Sequence, residues 1–276
     1  MLAVLLALGA SASWGLADFF GPLWGRRLGA LPVLLYGQLG SLTAIAIVVA
    51  IRGRGPAHPA AFLAVPAAIS GTLGLYSYYR GMAVGAMSVV APIAGASAAV
   101  PVVFGLATGD RPSAIRIVGI VAALVGVVLA ARERREGGTR VAAGVGLALL
   151  AAIGFGGYFP PMHAAGAADV WWATLAFRAT SAGVIASVVL LRRPPLRMGG
   201  PDLLVVALVG IGDLAGNLLF AAASAQGLVS IVSVLASLYP IVAVLLARTI
   251  VGERIARPQQ AGVALTLAGV AMISAG

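Results

Sequence analysis

Residues 76–101, YSYYRGMAVGAMSVVAPIAGASAAVP, set three tyrosines and one arginine, Arg80, inside otherwise apolar sequence. The layout returns later. Residues 227–240, GLVSIVSVLASLYP, repeat residues 85–98, GAMSVVAPIAGASA, with glycine, serine and β-branched positions in step. Working outward, other pairs keep nearly the same shift: Tyr36 meets Phe177 at 141 residues, Ser88 meets Ser230 at 142, and Gly119 and Gly126 meet Gly262 and Gly269 at 143. Trp14-Gly15 has a counterpart in Phe155-Gly156, and Gly109-Asp110-Arg111 in Gly252-Glu253-Arg254. The glycine pairs are seven apart, so each pair lies on one helix face and reads as a seam where backbones approach.

The chain has 276 residues, of which 61% are hydrophobic and only 9% charged, against roughly 25% charged in soluble domains. Apolar runs of about 20 residues, the length that spans a bilayer as a helix, recur from end to end. The sequence therefore predicts an all-α polytopic membrane protein with ten transmembrane helices. The first five are expected at 2–22, 31–51, 62–83, 87–107 and 113–131. A charged hinge, RERREGGTR at 132–140, follows. The next five are expected at 141–163, 170–191, 201–224, 228–248 and 258–274. Residues 1–136 form one expected repeat and 137–276 the other. Five spans is an odd number, so the second repeat must cross in the opposite sense, giving two inverted-topology five-helix repeats.

All 18 basic residues are arginine and outnumber the eight acids, for a net charge of +10. Placement argues against nucleic acid as the partner. Asp18, Arg80, Arg178 and Asp213 fall inside the expected spans with cancelling signs, and the loop arginines suit anionic lipid. With no cysteine, disulfides, thiolate catalysis and cysteine-ligated metal are excluded. Without lysine the chain has no P-loop, so it does not itself drive transport with ATP. The first span lacks the basic lead-in of a secretory signal and reads as a retained helix.

The order and duplication of these motifs carry a family resemblance. Trp14-Gly15, YYRGMA at 78–83, SVVAPI at 88–93, GDRP at 109–112, SLYP at 237–240 and GER at 252–254 make the chain similar to the drug/metabolite transporter superfamily, specifically the ten-helix EamA-type carriers. The resemblance implies two five-helix bundles around a central cavity that moves small organic molecules across the cytoplasmic membrane. One departure stands out. The arginine that many such proteins carry in the second span is absent, Tyr36-Gly37-Gln38 standing there, while Arg178 occupies a similar place in the seventh. Most loop arginines follow odd-numbered spans, which by the positive-inside rule puts both termini outside; the resemblance implies cytoplasmic termini instead.

Ionisable groups inside a bilayer are costly, so those present are functional candidates. Trp14 and Asp18 are four apart and share a helix face, as do Asp213 and Asn217, and Tyr76 and Arg80 with Tyr79 adjacent. Tyr239, before Pro240, is a candidate either for substrate contact or for packing. In the functional reading these eight residues line a polar cavity. Aromatic rings hold an apolar or cationic body, and Asp18 or Asp213 takes a cation or a proton. In the structural reading the aspartates pair with Arg80 or Arg178 to fix helix positions. Trp171 and Trp172 suit an interfacial belt. Pro160-Pro161 is expected to interrupt the sixth span before His163.

The expected function is secondary export of a small organic molecule by alternating access, with a proton or another ion as the coupling partner and no cofactor. A passive channel or lipid scramblase would use the same cavity without coupling. An intramembrane aspartyl protease is a third reading, since 210–213 spells GxGD and Asp18 is a second acid. Against it, the two acids belong to widely separated spans. The protein is thus expected not to be an enzyme.

Overall fold

The computed structural model describes residues 1–84, 94, 97, 99–107, 109, 111–130, 141–246, 249–250 and 257–275. The opening of the repeated motif at 85–93, the hinge at 132–140 and GER at 252–254 lie outside the described residues. Among those described, regular structure is entirely helical. The helices are α1 (Leu2–Leu28), α2 (Ala30–Arg52), α3 (Ala64–Val84), α4 (Ala99–Ala107), α5 (Ala114–Ala130), α6 (Val141–Ala168), α7 (Val170–Arg192), α8 (Gly200–Ser224), α9 (Val229–Ala236), α10 (Tyr239–Leu246) and α11 (Arg257–Ala275), with a 3-10 turn at Pro59–Leu63. Six of them, α1 to α3 and α6 to α8, are long and apolar enough to cross a membrane. Helices suit that medium because they satisfy every backbone polar group internally. The other four expected spans coincide with α4, α5, the α9–α10 pair and α11.

Two details depart from the sequence expectation. The helix α6 runs through Pro160 and Pro161 without interruption. The carbonyls that lose their donors belong to Gly156 and Gly157, four residues earlier. The ninth span does break, between α9 and α10 at Ser237–Leu238, because Pro240 cannot donate to the carbonyl of Ala236.

Two contacts at opposite ends fix the sense of crossing. Beyond the end of α2, the carbonyl of Arg54 accepts from the Trp172 indole at 2.9 Å, and the Arg52 guanidinium lies 4.7 Å from the Trp171 ring centre, so the start of α7 sits at that end. At the other end, Asp202 in the first turn of α8 is reached by Arg27 (2.9 Å) and by the Trp24 indole (3.0 Å) from the last turns of α1. Hence α1 and α3 run one way while α6 and α8, their counterparts, run the other. The second half is inverted, and Trp171 and Trp172 stand at a helix end as an interfacial belt requires.

The packing is correspondingly two-fold. The α1–α8 contact has its counterpart in α6–α3, and α2–α8 in α7–α3, while α2–α7 and α5–α11 pair like with like. Individual bonds obey the same exchange. Ser13 donates from α1 to the carbonyl of Gly212 on α8 at 2.7 Å. Ser70 donates from α3 to the carbonyl of Gly154 on α6 at 2.9 Å, so the same positions meet with donor and acceptor exchanged. A methyl on Gly74 would come within 3.0 Å of the backbone of Gly154 and Phe155, and one on Gly216 would overlap the Trp14 indole. The seam reading also holds, for Gly269 lies against the backbone of Gly119 and Ala123.

Candidate functional site

Where the six long helices meet, they leave a cavity of about 70 Å³ that is open at its mouth. One wall comes from α1 and α8. Trp14 and Asp18 project from α1 one turn apart, and Asp213 and Asn217 from α8, as their i, i+4 spacing dictates. The Trp14 indole donates to Oδ1 of Asn217 at 2.9 Å, joining the two helices across the wall. The Nδ2 of Asn217 is buried without a hydrogen-bond partner among the described residues.

Arg178 of α7 lies behind this wall, fully buried. Its Nη1 donates to Oδ2 of Asp213 at 2.5 Å and to Oε1 of Gln38 on α2 at 3.2 Å. One guanidinium thereby ties α2, α7 and α8 together, and Asp213 has its countercharge. Breaking such a buried pair costs about 3–5 kcal/mol, because it strands a charge in low dielectric. Asp18 has no such arrangement. Among the described residues it has neither an ion-pair nor a hydrogen-bond partner.

The rest of the lining is apolar and aromatic. Leu75 and Gly71 come from α3, Phe155, Tyr158 and Phe159 from α6, and Phe177 from α7. Tyr158 is the hub, with ring centres of Trp14, Phe159, Phe177 and Phe220 at 5.8, 5.3, 5.4 and 5.5 Å. Rings at these separations hold one another at fixed orientations. Thr72 of α3 is bound to Ser181 of α7 at 2.8 Å and adds one hydroxyl to the lining.

Of the eight residues picked from the sequence, five line this cavity: Trp14, Asp18, Asp213, Asn217 and Tyr239. Tyr239 reaches it from the break in the ninth span, with the Ser97 hydroxyl beside its own. Tyr79 is buried and lines an adjoining smaller cavity that shares Asp18, Gln38 and Asp213 with the first. Tyr76 is half-buried in a neighbouring apolar cluster, and Arg80 is exposed. The expectation that Arg80 faces the aspartates is therefore not met. Arg80 lies near the end of α3, where its long side chain leaves the core, and Arg178 takes the place beside Asp213. Gln38 and the aromatic wall were not singled out from the sequence. The repeat shift carries the signal for part of it: Phe155 is the counterpart of Trp14, and Phe177 of Tyr36.

The walls are equivalent positions filled differently. Shifted by the repeat, Trp14 and Asp18 fall on Phe155 and Phe159, while Asp213 and Asn217 fall on Gly71 and Leu75. A symmetric frame thus encloses an asymmetric cavity. The two carboxylates share it despite their separation in sequence, so distance along the chain gives no ground against paired-carboxylate chemistry; the engagement of Asp213 by Arg178 does.

The model of the EamA-like transporter family matches residues 1–132 and 142–275. No curated protein matches the sequence significantly. Among solved structures, a crystal structure of a protein superimposes with a TM-score of 0.77 at 18% identity, covering 99% of this chain and 96% of the other. At that identity the likeness is one of fold.

Proposed function

The chain belongs to the EamA-like transporter family, a branch of the drug/metabolite transporter superfamily, and from that premise we propose that it is a secondary carrier exporting a small organic molecule across the cytoplasmic membrane. The observation that carries the reading is the cavity between the inverted halves, with an uncompensated carboxylate, Asp18, on one wall and an aromatic surface on the other. Related half-bundles can rock about a site at their interface, opening it to each side in turn. The coupling partner is a proton or another cation, which Asp18 is suited to accept.

Reconstituted protein should carry its substrate with saturable, competable flux that Asp18→Asn reduces. Linear flux that neither saturates nor responds to the substitution would contradict a carrier and favour a channel. The protease reading needs two carboxylates sharing one proton. Asp213 is held in an ion pair with Arg178, which supports transport over hydrolysis.

A further inference from the structure

We infer that the cavity takes a monocationic amine with an aromatic or other planar apolar body, its ammonium group on Asp18 and its body against the Tyr158 and Phe159 wall. This assignment rests on the carrier reading of the same site and names the class of molecule carried.

Charge comes first. Two carboxylates line the cavity, and Arg178 neutralises one of them. No other described cation faces Asp18: Arg27 is bound to Asp202 at the far end of α1, and Arg80 is exposed. With Asp18 ionised the site is short of one positive charge, and an anion entering it would meet that carboxylate in a low-dielectric setting. The α1 backbone adds to this. Pro22 lies inside the helix four residues after Asp18, so the Asp18 carbonyl loses its usual helical donor. The ionised Asp18 carboxylate supplies acceptors for the several N–H bonds of an ammonium group.

Shape and surface complete the match. The rings of Tyr158, Phe159 and Phe155 line the same cavity. Aromatic faces attract both a planar apolar body and a cation next to it. The unpartnered carboxamide nitrogen of Asn217 remains to bind a polar substituent. In the other half, Phe159 and Leu75 stand where Asp18 and Asn217 do, so a cation has only one end of the cavity to occupy and the molecule binds in one orientation.

The test is equilibrium binding to the purified full chain in detergent. Its probes are 2-phenylethylamine, the neutral 2-phenylethanol and the anionic 3-phenylpropionate. The amine is expected to bind at least about tenfold more tightly than either analogue. Asp18→Asn should abolish that preference and Asp18→Glu should keep it, both variants retaining a cooperative melt. Equal binding of the three probes, binding of none, a preference that survives Asp18→Asn, or full stabilisation by sodium chloride alone would each overturn the assignment. Vesicle flux separates this from the carrier reading. An amine that binds but is not carried contradicts the carrier and leaves the cation site standing, whereas saturable flux of only neutral or anionic compounds does the reverse.

Discussion

The indole of Trp14 donates to the carboxamide oxygen of Asn217 at 2.9 Å, and this bond joins the first helix of one repeat to the third helix of the other. Their counterparts, Phe155 and Leu75, have no group with which to make it. Trp14→Phe should keep most of the ring packing but strand the Asn217 oxygen, costing about 1–3 kcal/mol. Thermal melting would register this as a lowered midpoint. An unchanged midpoint would mean that the bond contributes nothing to holding α1 on α8.

Arg178 and Asp213 make opposite predictions singly and together. Either Arg178→Met or Asp213→Asn leaves a buried or half-buried charge or its polar partner uncompensated, with a loss of about 3–5 kcal/mol expected for the arginine-removing case. The double substitution should recover part of that loss, since no unpaired charge remains. A double variant as unstable as the sum of the singles would show the two residues to be uncoupled.

The glycines divide into those that touch a neighbour and those that do not. Gly216 lies under the Trp14 indole, so Gly216→Ala forces a shift and should destabilise by about 1–3 kcal/mol. No described residue lies within 4 Å of a methyl at Gly183 on α7, and Gly183→Ala should be neutral or stabilise by up to about 1 kcal/mol. Comparison of the two melting midpoints checks both signs.

The inversion predicts which loops share a side. With no native cysteine, Gly55→Cys and Pro195→Cys place single thiols in equivalent loops, after α2 and after α7. A membrane-impermeant maleimide should label them from opposite faces of sealed vesicles. Labelling of both from one face would refute the inverted repeat.

The sequence made the frame legible because a frame is repetitive. The glycine pairs recurring at a shift of 143 residues carried one seam, which appears where Gly269 lies against Gly119 and Ala123. Gly74 and Gly216, and the paired bonds of Ser13 and Ser70, obey the same exchange but were not singled out in the sequence. The polar wall was legible for a related reason: a short acid such as Asp18 or Asp213 cannot escape a span, so its face must look inward. Arg80 misled because a long side chain can leave the core, and spacing alone does not say where along the helix that becomes possible. The pairing of Gln38, Arg178 and Asp213 joins three helices, and no periodicity within one helix reveals it. The aromatic wall was hidden in a similar way, since Tyr158, Phe159 and Phe177 look like ordinary core residues until the facing wall is known to be polar.

The central claim, that one cavity between the inverted halves opens to each side of the membrane in turn, is tested most directly by a single cysteine at Leu75→Cys on the cavity wall. A charged thiol reagent applied to sealed vesicles of either orientation should reach Cys at that position from both faces, without itself passing through the protein into the lumen. Labelling from one face only, or reagent flowing through to the other side, would contradict the claim.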